Sequence, residues 1–545
     1  MSKIFERLCA IRHLDPDFLN PKYEKLIDPF TLTDMDKAVS RVKKAIKENE
    51  KILIYGDYDV DGVTANTVME QTLILAGIKP ENINIMLPDR FADGYGMSPK
   101  LIKRAQKEDV TLVITVDCGS HNHDIVNKLN ILNIDSIITD HHETTNQIPE
   151  AIAVINPHRK DAPTVELQNL AGVGVAFKFA EALVKEHLIK SGQEKWLLDL
   201  VLLGTICDSM TLTGENRRLG YYGIKVLSKT RRAGLKELMQ RAGVKNLNSE
   251  SIGFQIGPRL NSAGRLESAD ISLNLLRAKS SIEAAPFAEK LEQLNKKRKT
   301  EQISATREIK ERGESNDPVI IETGHWHEGI LGIVAGRLVE DYHKPAFVLT
   351  ELENGIFKGS GRSFGDFNLA EALDFIKDII IGGGGHAGAA GVRLEQKNLY
   401  LFREKINAYY QNLNLKNQEK FFNPSADLIV EDFSELNLDF LKELKQLEPF
   451  GPGNEEPIFH LKNVSITNIT RMGSELNHLR LDLCDHSGKI LKCLAFFAPK
   501  NWFNINPEYD HVELFVKFVE NDFNGVKSLE ARIIDIIDPS TLESV

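Results

Sequence analysis

Short apolar runs closed by glycine and acidic residues alternate with helical stretches through the first 210 residues. Ile52–Tyr55 is the first such run and ends in Gly-Asp; Thr64–Ile78 after it has helical composition. Ile83–Leu87, Leu112–Val116 and Ser136–Thr139 are further strand candidates. The third run ends in Asp-Cys-Gly and the fourth in Asp-His-His. Helical segments separate the later runs. This alternation predicts an α/β fold, a parallel sheet with helices on both faces.

The pattern then changes. After about residue 210 the chain reads as mostly helical, and Ser281 to about Arg312 carries no Gly and one early Pro. Phe287, Leu291 and Leu294 fall at i, i+4 and i+7, so one long connecting helix is predicted there. Lys296-Lys297-Arg298-Lys299 lies on it and reads as a solvated surface, with a nucleic-acid contact as the alternative. A second compact unit spans about Pro318 to Ala408. It opens with a strand, Val319–Glu322, and holds two Gly-rich stretches, Lys358–Ser363 and Gly382–Gly391. Gln411–Lys420 is polar and reads as a linker. Five strands are predicted near Val464–Thr470, Leu479–Cys484, Lys489–Phe496, Val512–Val519 and Leu529–Ile537. Leu479, Leu481 and Leu483 keep period two, as do Val512, Leu514, Val516 and Phe518. A half-buried small barrel has that pattern. The predicted regions are therefore 1–215, 216–315, 316–410 and 425–545.

Composition narrows the classes. A chain of 545 residues holds about three or four domains. The 42% hydrophobic and 27% charged fractions exclude a disordered or collagen-like chain. A net charge of −11 excludes a uniformly basic nucleic-acid binder, yet permits local basic grooves, because a strand follows the local field. The five cysteines form no C-x-x-C pair, so neither a zinc ribbon nor a redox motif is suggested, and a reducing cytoplasm is the default expectation. Neither an apolar signal core nor a run of eighteen apolar residues occurs, so no membrane span is expected.

The chemistry concentrates at the strand ends. Asp57-Tyr58-Asp59-Val60-Asp61-Gly62 follows the first strand, Asp117-Cys118-Gly119 the third, and Asp140-His141-His142-Glu143 the fourth. Loops at the carboxyl ends of parallel strands converge on one crevice. Carboxylates crowded together repel one another, and a bound cation removes that cost. Carboxylates with imidazoles and no paired thiolates suit Mn²⁺ or Mg²⁺. Two ions bridged by a shared carboxylate would serve phosphodiester cleavage. An EF-hand loop at Asp57–Gly62 is rejected, because position 12 would be Val68 and a strand precedes the loop. Leu202–Asp208 is an apolar run closed by one acid. Elsewhere, Gly382–Gly391 could bring backbone N–H groups to a phosphate, the structural alternative being a tight turn before a helix. Lys358–Ser363 offers two hydroxyls and two cations, and Arg90 is a loop cation.

Taken together, the Asp-His-His triplet, the Asp59/Asp61 loop, Val116-Asp117 and Asp208 resemble the DHH phosphoesterase superfamily. Gly383–Gly391 resembles the glycine-rich motif of its DHHA1 domain. Gly257-Pro258-Arg259-Leu260-Asn261-Ser262-Ala263-Gly264-Arg265 resembles a motif of the superfamily's RecJ exonuclease branch. With a C-terminal barrel similar to an OB-fold, the resemblance covers nearly the whole chain. It implies metal binding by Asp59, Asp61, Asp117, His141 and Asp208, with Asp117 bridging two Mn²⁺ or Mg²⁺ ions. Catalytic roles follow for Asp117, for His142 as phosphate contact or proton donor, and for Asp140 as support. Asp57 precedes the family's pair of acids and is less direct. Contacts to phosphate or DNA are implied for Arg90, Arg259, Asn261, Arg265, Ser360, Arg362 and His386. Barrel candidates are Arg471, His478, Arg480, Lys492, Phe496 and Phe497, where alternation places one of the two phenylalanines in the core. Glu448–Asn454 resembles the entry motif to the barrel.

The resemblance implies a cytoplasmic, monomeric exonuclease in DNA repair and recombination that degrades single-stranded DNA from its 5′ end to mononucleotides. A single-strand binding protein and a helicase are implied partners. One rival is a superfamily enzyme acting on short oligonucleotides, cyclic dinucleotides or pyrophosphate. That branch has a histidine where this chain has Tyr55, and it lacks the Arg259–Arg265 motif and the barrel. The other rival is a non-catalytic single-strand binder, against which the full set of acids counts.

Overall fold

The computed structural model describes residues 1–537 apart from Tyr95, Asn146, Glu314, Asn414 and the segments 416–424 and 506–511. The linker predicted at Gln411–Lys420 lies mostly outside the described residues. The chain forms two compact units. One holds 28–208 and 226–422; the other holds 1–27, 209–225 and 423–545.

In the first of these units, β1 (Ile52–Gly56), β2 (Ile83–Met86), β3 (Leu112–Val116), β4 (Asp135–Thr139) and β5 (Ala153–Ile155) form a wholly parallel sheet. Its order is β2-β1-β3-β4-β5. Every residue of β1 and β3 is buried, as expected of strands covered on both faces. Sequence periodicity finds four of the five strands; β5 has three residues, too few to show a period. The chain reverses direction of growth between β1 and β3, so a crevice opens beyond their carboxyl ends. The helix after β1 spans Val60–Leu75. It starts four residues before the predicted Thr64 because Asp59 is its N-cap, accepting from the Gly62 N–H at 3.0 Å.

The long helix runs from Ser281 to Glu311, capped by Ser280. Leu291 and Leu294 are buried on it, and so is Arg298. This corrects the solvated reading of Lys296–Lys299. The buried stripe continues from Leu291 through Leu294 to Arg298 at helical spacing, while its lysine neighbours stay exposed. A second sheet follows, with β6 (Ile320–Gly324), β7 (Ala346–Glu351), β8 (Ile356–Arg362), β9 (Gly382–Gly385) and β10 (Ala389–Glu395). Its order is β6-β7-β8-β10-β9. The Gly-rich stretch is not a turn before a helix. Gly382–Gly385 is an exposed edge strand paired antiparallel to β10.

The other unit is built on β11 (Leu428–Val430), β12 (Phe459–Met472), β13 (His478–Cys484), β14 (Ile490–Ala495), β15 (Val512–Phe523) and β16 (Val526–Ile537). Strands β12-β13-β14-β16-β15 close into a barrel through the β12–β15 pairing. Leu479, Leu481, Leu483, Val512, Leu514 and Val516 all face its core, as their period requires. Residues 209–225 belong to this unit, although the sequence divides at 215. Arg217 explains the difference. Its buried guanidinium donates to the carbonyls of Gln446 at 2.8 Å, Phe18 at 3.2 Å and Glu448. Burial pushes its pKa down to about 10, and these carbonyl dipoles offset that cost together with the Glu448 carboxylate and ring contacts with Phe18 and Tyr221.

Candidate active site

The loops after β1, β3 and β4 meet at the switch point and bring the predicted acids together. Asp57, Asp59 and Asp117 offer carboxylate oxygens within 4.8 Å of one another. Two further groups place carboxylate oxygens and imidazole nitrogens within the same distance: Asp61, His141 and Asp208, and Asp117, His141 and His142. Asp117 and His141 each belong to two of these groups, so the shared carboxylate expected of Asp117 is geometrically available. His141 Nε2 lies 3.1 Å from Asp117 Oδ1, 3.6 Å from Asp208 Oδ2 and 3.7 Å from Asp61 Oδ2. Asp57, which the sequence motif leaves less direct, sits inside the cluster.

Local structure fixes each group. Both oxygens of Asp61 accept backbone N–H bonds, from Gly172 at 2.6 Å and Val173 at 2.9 Å. These are orphan donors at the start of the Gly172–Lys185 helix. A Cβ on Gly172 would stand 2.5 Å from the Asp117 Cβ, and one on Gly204 would stand 2.6 Å from Asp61 Oδ1. Small residues there let two helices close on the acids. Asp117 itself has φ +58°, a left-handed conformation held at the strand end. Asp208 terminates the Leu198–Cys207 helix as its C-cap.

Electrostatics gives the cluster its sense. Burial, then repulsion from Asp59, raises Asp57 to about 8 and Asp61 to about 7. Burial followed by Asp61 and Asp59 raises Asp208 to about 8. Asp117 is pushed well above the carboxylate range by burial and by four neighbouring acids. Its Oδ1 is buried and accepts no hydrogen bond, despite the nearby imidazole. An orphan buried carboxylate oxygen among acids whose crowding disfavours their charged forms fits a divalent cation, and the oxygen-rich donor set fits Mn²⁺ or Mg²⁺.

The two histidines are driven apart. Burial and the adjacent His142 lower His141 to about 4, leaving a neutral imidazole able to ligate. Burial acts downward on His142 too, but Asp140 outweighs it by hydrogen bond and charge and lifts His142 to about 9. Its Nδ1 lies 2.8 Å from Asp140 Oδ1. Asp140 also accepts from the His141, His142 and Ser120 N–H groups. Although burial opposes it, the bonded His142 and these donors hold Asp140 below the usual range. It anchors the loop, in keeping with a supporting role.

Beside the acids stands a cluster of the opposite sign. Arg265 feels Arg90, Arg298 and Arg362, and is pushed down to about 9 by burial and then by those three. Arg362 is lowered by burial and by Arg90, and Arg298 by burial. Among the described residues none of the four makes an ion pair. Arg90 lies 5.1 Å from the Tyr58 ring centroid. Arg265 donates to the Gly329 carbonyl, Arg298 to Asn295 and Gln302, and Arg362 to the Gly361 carbonyl. Ser360 and Arg362 alternate with buried Gly359 and Gly361 along β8, so both lie on its outer face. Four uncompensated guanidiniums call for a polyanion, and planar forks suit phosphate. Arg298 is the member the sequence reading missed; only its place on the buried stripe of the long helix could have marked it.

Other predicted residues lie elsewhere. Arg259 is committed to Glu292 at 2.5 Å and to the Gln255 carbonyl. Asn261 accepts from the Val60 N–H at 3.2 Å and so positions the acidic loop. His386 is exposed, and its N–H donates to the Ala389 carbonyl. Lys358 is neutralised by Glu328, and the Ser363 hydroxyl donates to the Phe367 carbonyl. Tyr55 is fully buried; its hydroxyl donates to Gly96 O at 2.9 Å and accepts from Ser98 N at 3.1 Å. In the barrel unit Arg480 pairs with Asp482, and Arg471 lies over Phe503. Phe496 and Phe497 are both exposed, which corrects the expectation that one is core: β14 ends at Ala495, and Phe497 turns out of alternation with φ +53°.

Comparison with known proteins adds a second line of evidence. Residues 51–205 match the DHH family N-terminal domain, 316–412 the DHHA1 domain and 429–535 the RecJ OB domain. The chain is 35% identical over 527 residues to the single-stranded-DNA-specific exonuclease RecJ of Bacillus subtilis, covering 95% of this chain and 65% of that one. It is 32% identical over 541 residues to the protein of the same name in Escherichia coli, covering 93% and 91%. The crystal structure of RecJ in complex with Mn²⁺ from Thermus thermophilus superposes with TM-score 0.80 at 25% identity, over 98% of this chain and 78% of that one.

Proposed function

Since the chain belongs to the RecJ family of single-stranded-DNA-specific exonucleases, within the DHH phosphoesterases, we propose that it digests one DNA strand from its 5′ end to mononucleotides. The observation that carries this reading is the adjacency of the two clusters: crowded, largely buried acids needing cations, beside partly buried arginines needing phosphate. Asp57, Asp59, Asp61, Asp117, His141 and Asp208 would hold two Mn²⁺ or Mg²⁺ ions, with Asp117 shared between them. When bound, such ions supply Lewis acidity and a water activated at neutral pH.

The remaining steps belong to the chain's own residues. Arg90, Ser360 and Arg362 grip the terminal 5′ phosphate, with Arg265 and Arg298 adding to the field. That grip sets the polarity, because it places the first phosphodiester against the acids. Asp140 holds His142 protonated, with Nδ1 engaged, so Nε2 can give a proton to a phosphate oxygen or the departing 3′ oxygen. Asn261 fixes the Val60 end of the acidic loop. In the barrel unit, the exposed Phe496 and Phe497, packed edge-on against half-buried His478, offer stacking faces to a single strand. Arg259, held by Glu292, acts as a support, whereas the exposed ring of His386 stays available as a phosphate contact. Five free cysteines and a DNA substrate support a place in the cytoplasm. Repair and recombination, beside a single-strand binding protein and a helicase, is the role that family membership supports.

The test is product analysis on a long single strand labelled at either end, with Mn²⁺ and with chelator. Labelled mononucleotide appearing first from the 5′ end, only with metal, is expected. Turnover of dinucleotides with the long strand intact would move the protein to the small-substrate branch.

A further inference from the structure

A second cavity lies in the catalytic unit, away from both clusters. It has a volume of 690 Å³, within the range of small-molecule sites. Its walls come from the end of the Val60–Leu75 helix, the turn at Trp196, the Arg231-Arg232 pair and the end of the Asp270–Arg277 helix. At 1.5 Å per residue, the cavity's part of the Val60–Leu75 helix, from Glu70 to Leu75, stands about 14 to 21 Å along the axis from Asp61 in its first turn. The cavity is therefore a separate site.

Its chemistry has three parts. The acids in its wall are spent. Asp199 is bound by Arg232 at 3.1 Å and by the Thr230 hydroxyl at 2.6 Å, and Glu70 takes a two-pronged bond from Arg277. Two cations remain, since neither Arg231 nor Lys279 makes an ion pair among the described residues. Arg231 sits over one face of Trp196, with its guanidinium carbon 3.6 Å from the ring centroid. A guanidinium stacked in this way keeps its N–H edge for an anion. Finally, Trp196 is 37% exposed and Ile74 is 36% exposed, unusual for large apolar groups in a cavity wall. Together they offer a flat apolar surface beside an unneutralised double positive charge.

We propose that this cavity binds a free nucleoside 5′-monophosphate. The base lies against Trp196 and Ile74, and the phosphate takes the edge of Arg231 and the Lys279 ammonium. A base has the π-face that an exposed indole accepts, and a phosphate dianion matches two cations. Binding here does not require that the protein cut DNA, so failure of the exonuclease reading would leave it standing.

The test is calorimetric titration of the full chain with 5′-dAMP in chelator. The Arg90→Ala/Arg362→Ala background removes the grip proposed for the 5′ phosphate. One equivalent of dAMP should still bind in that background. Adding Arg231→Glu and Lys279→Glu should weaken it by about tenfold or more. Both side chains are exposed and unpaired, so the fold should survive, as circular dichroism would check. Trp196→Leu, which keeps both cations, should weaken dAMP but not inorganic phosphate. The assignment is overturned if the background variant binds no dAMP, if the charge reversals leave affinity unchanged, or if a pentanucleotide binds there and dAMP does not.

Discussion

Two clusters of like charge lie in the catalytic unit, one of carboxylates and one of guanidiniums. The carboxylates come from three loops at successive strand ends plus one helix end, each loop a run of a few residues. The guanidiniums come from Arg90, Arg265, Arg298 and Arg362, four places spread over more than half the chain. In both clusters like charges shift one another's pKa values, and the opposite charges that reach them, Asp59 for Arg265 and His142 and Arg90 for Asp57, offset only part of that repulsion. Each on its own would destabilise the fold. Side by side, they define complementary ligands: cations for one, and the phosphate that those cations help to cut for the other. Structural ion pairs such as Arg41 with Glu50, 2.6 Å apart, show how this fold treats buried charge when no ligand is intended.

The largest effect expected from breaking this arrangement is at Asp117. Asp117→Ala removes the carboxylate common to two ligand groups, so metal-dependent turnover should fall on the order of a thousandfold. The metal-free protein should melt no lower, and higher at pH 8, because a buried repelling charge is gone. Full activity in the variant would remove Asp117 from the metal site.

Next comes the pH dependence of the metal-free protein. Asp57, Asp61 and Asp208 have folded pKa values of about 7 to 8, against about 3.8 unfolded. A raised pKa gives stability that is complete below the unfolded value and is lost as pH rises through the folded one. His142, raised to about 9 from 6.5, has the same sign. His141, lowered to about 4 from 6.5, has the opposite sign below pH 6.5, so stability without metal should fall most steeply between about pH 6.5 and pH 9, by about 3 kcal/mol as an order of magnitude. Mn²⁺ should restore it, with its largest shift in melting temperature at the alkaline end. A metal-induced shift equal at pH 5 and pH 8 would argue that the acids are not the binding groups.

Arg362→Ala probes the opposite cluster. Losing one charge-assisted phosphate contact should lower kcat/KM by about 10- to 100-fold on a strand with a 5′ phosphate. A 5′-hydroxyl strand should lose far less. Equal losses on both would move Arg362 from end recognition to general strand binding.

The two clusters also differ in how far the chain discloses them. The acids and histidines are contiguous and sit where strand periodicity breaks, so pattern and chemistry agree on one place. The arginines have no shared motif. Arg298 hides in a run of lysines, and only the buried stripe of its helix separates it from them. Arg259 sits in the most distinctive motif of the helical region, yet Glu292, 33 positions away, takes its charge. The barrel was readable because period two persists along β13 and β15, whereas β5 and β11, three residues each, had no period to show. The allegiance of 209–225 rests on Arg217 donating to distant carbonyls, which no local pattern encodes.

The smallest effect belongs to Tyr55, one residue from the end of β1 and next in sequence to the acidic loop. Its ring is fully buried, and its hydroxyl bridges Gly96 O and Ser98 N rather than approaching a carboxylate. Tyr55→Phe should thus cost about 1 kcal/mol of stability, the worth of a buried hydrogen bond, with Mn²⁺ affinity unchanged. A melting curve with and without Mn²⁺ reads both quantities. An affinity loss of tenfold would mean that the 96–98 loop, which follows Arg90, helps set the acids in place; the negative and positive clusters would then be mechanically joined through one core hydroxyl. Unchanged affinity would leave them coupled only by their shared ligand, the phosphate at the strand's end.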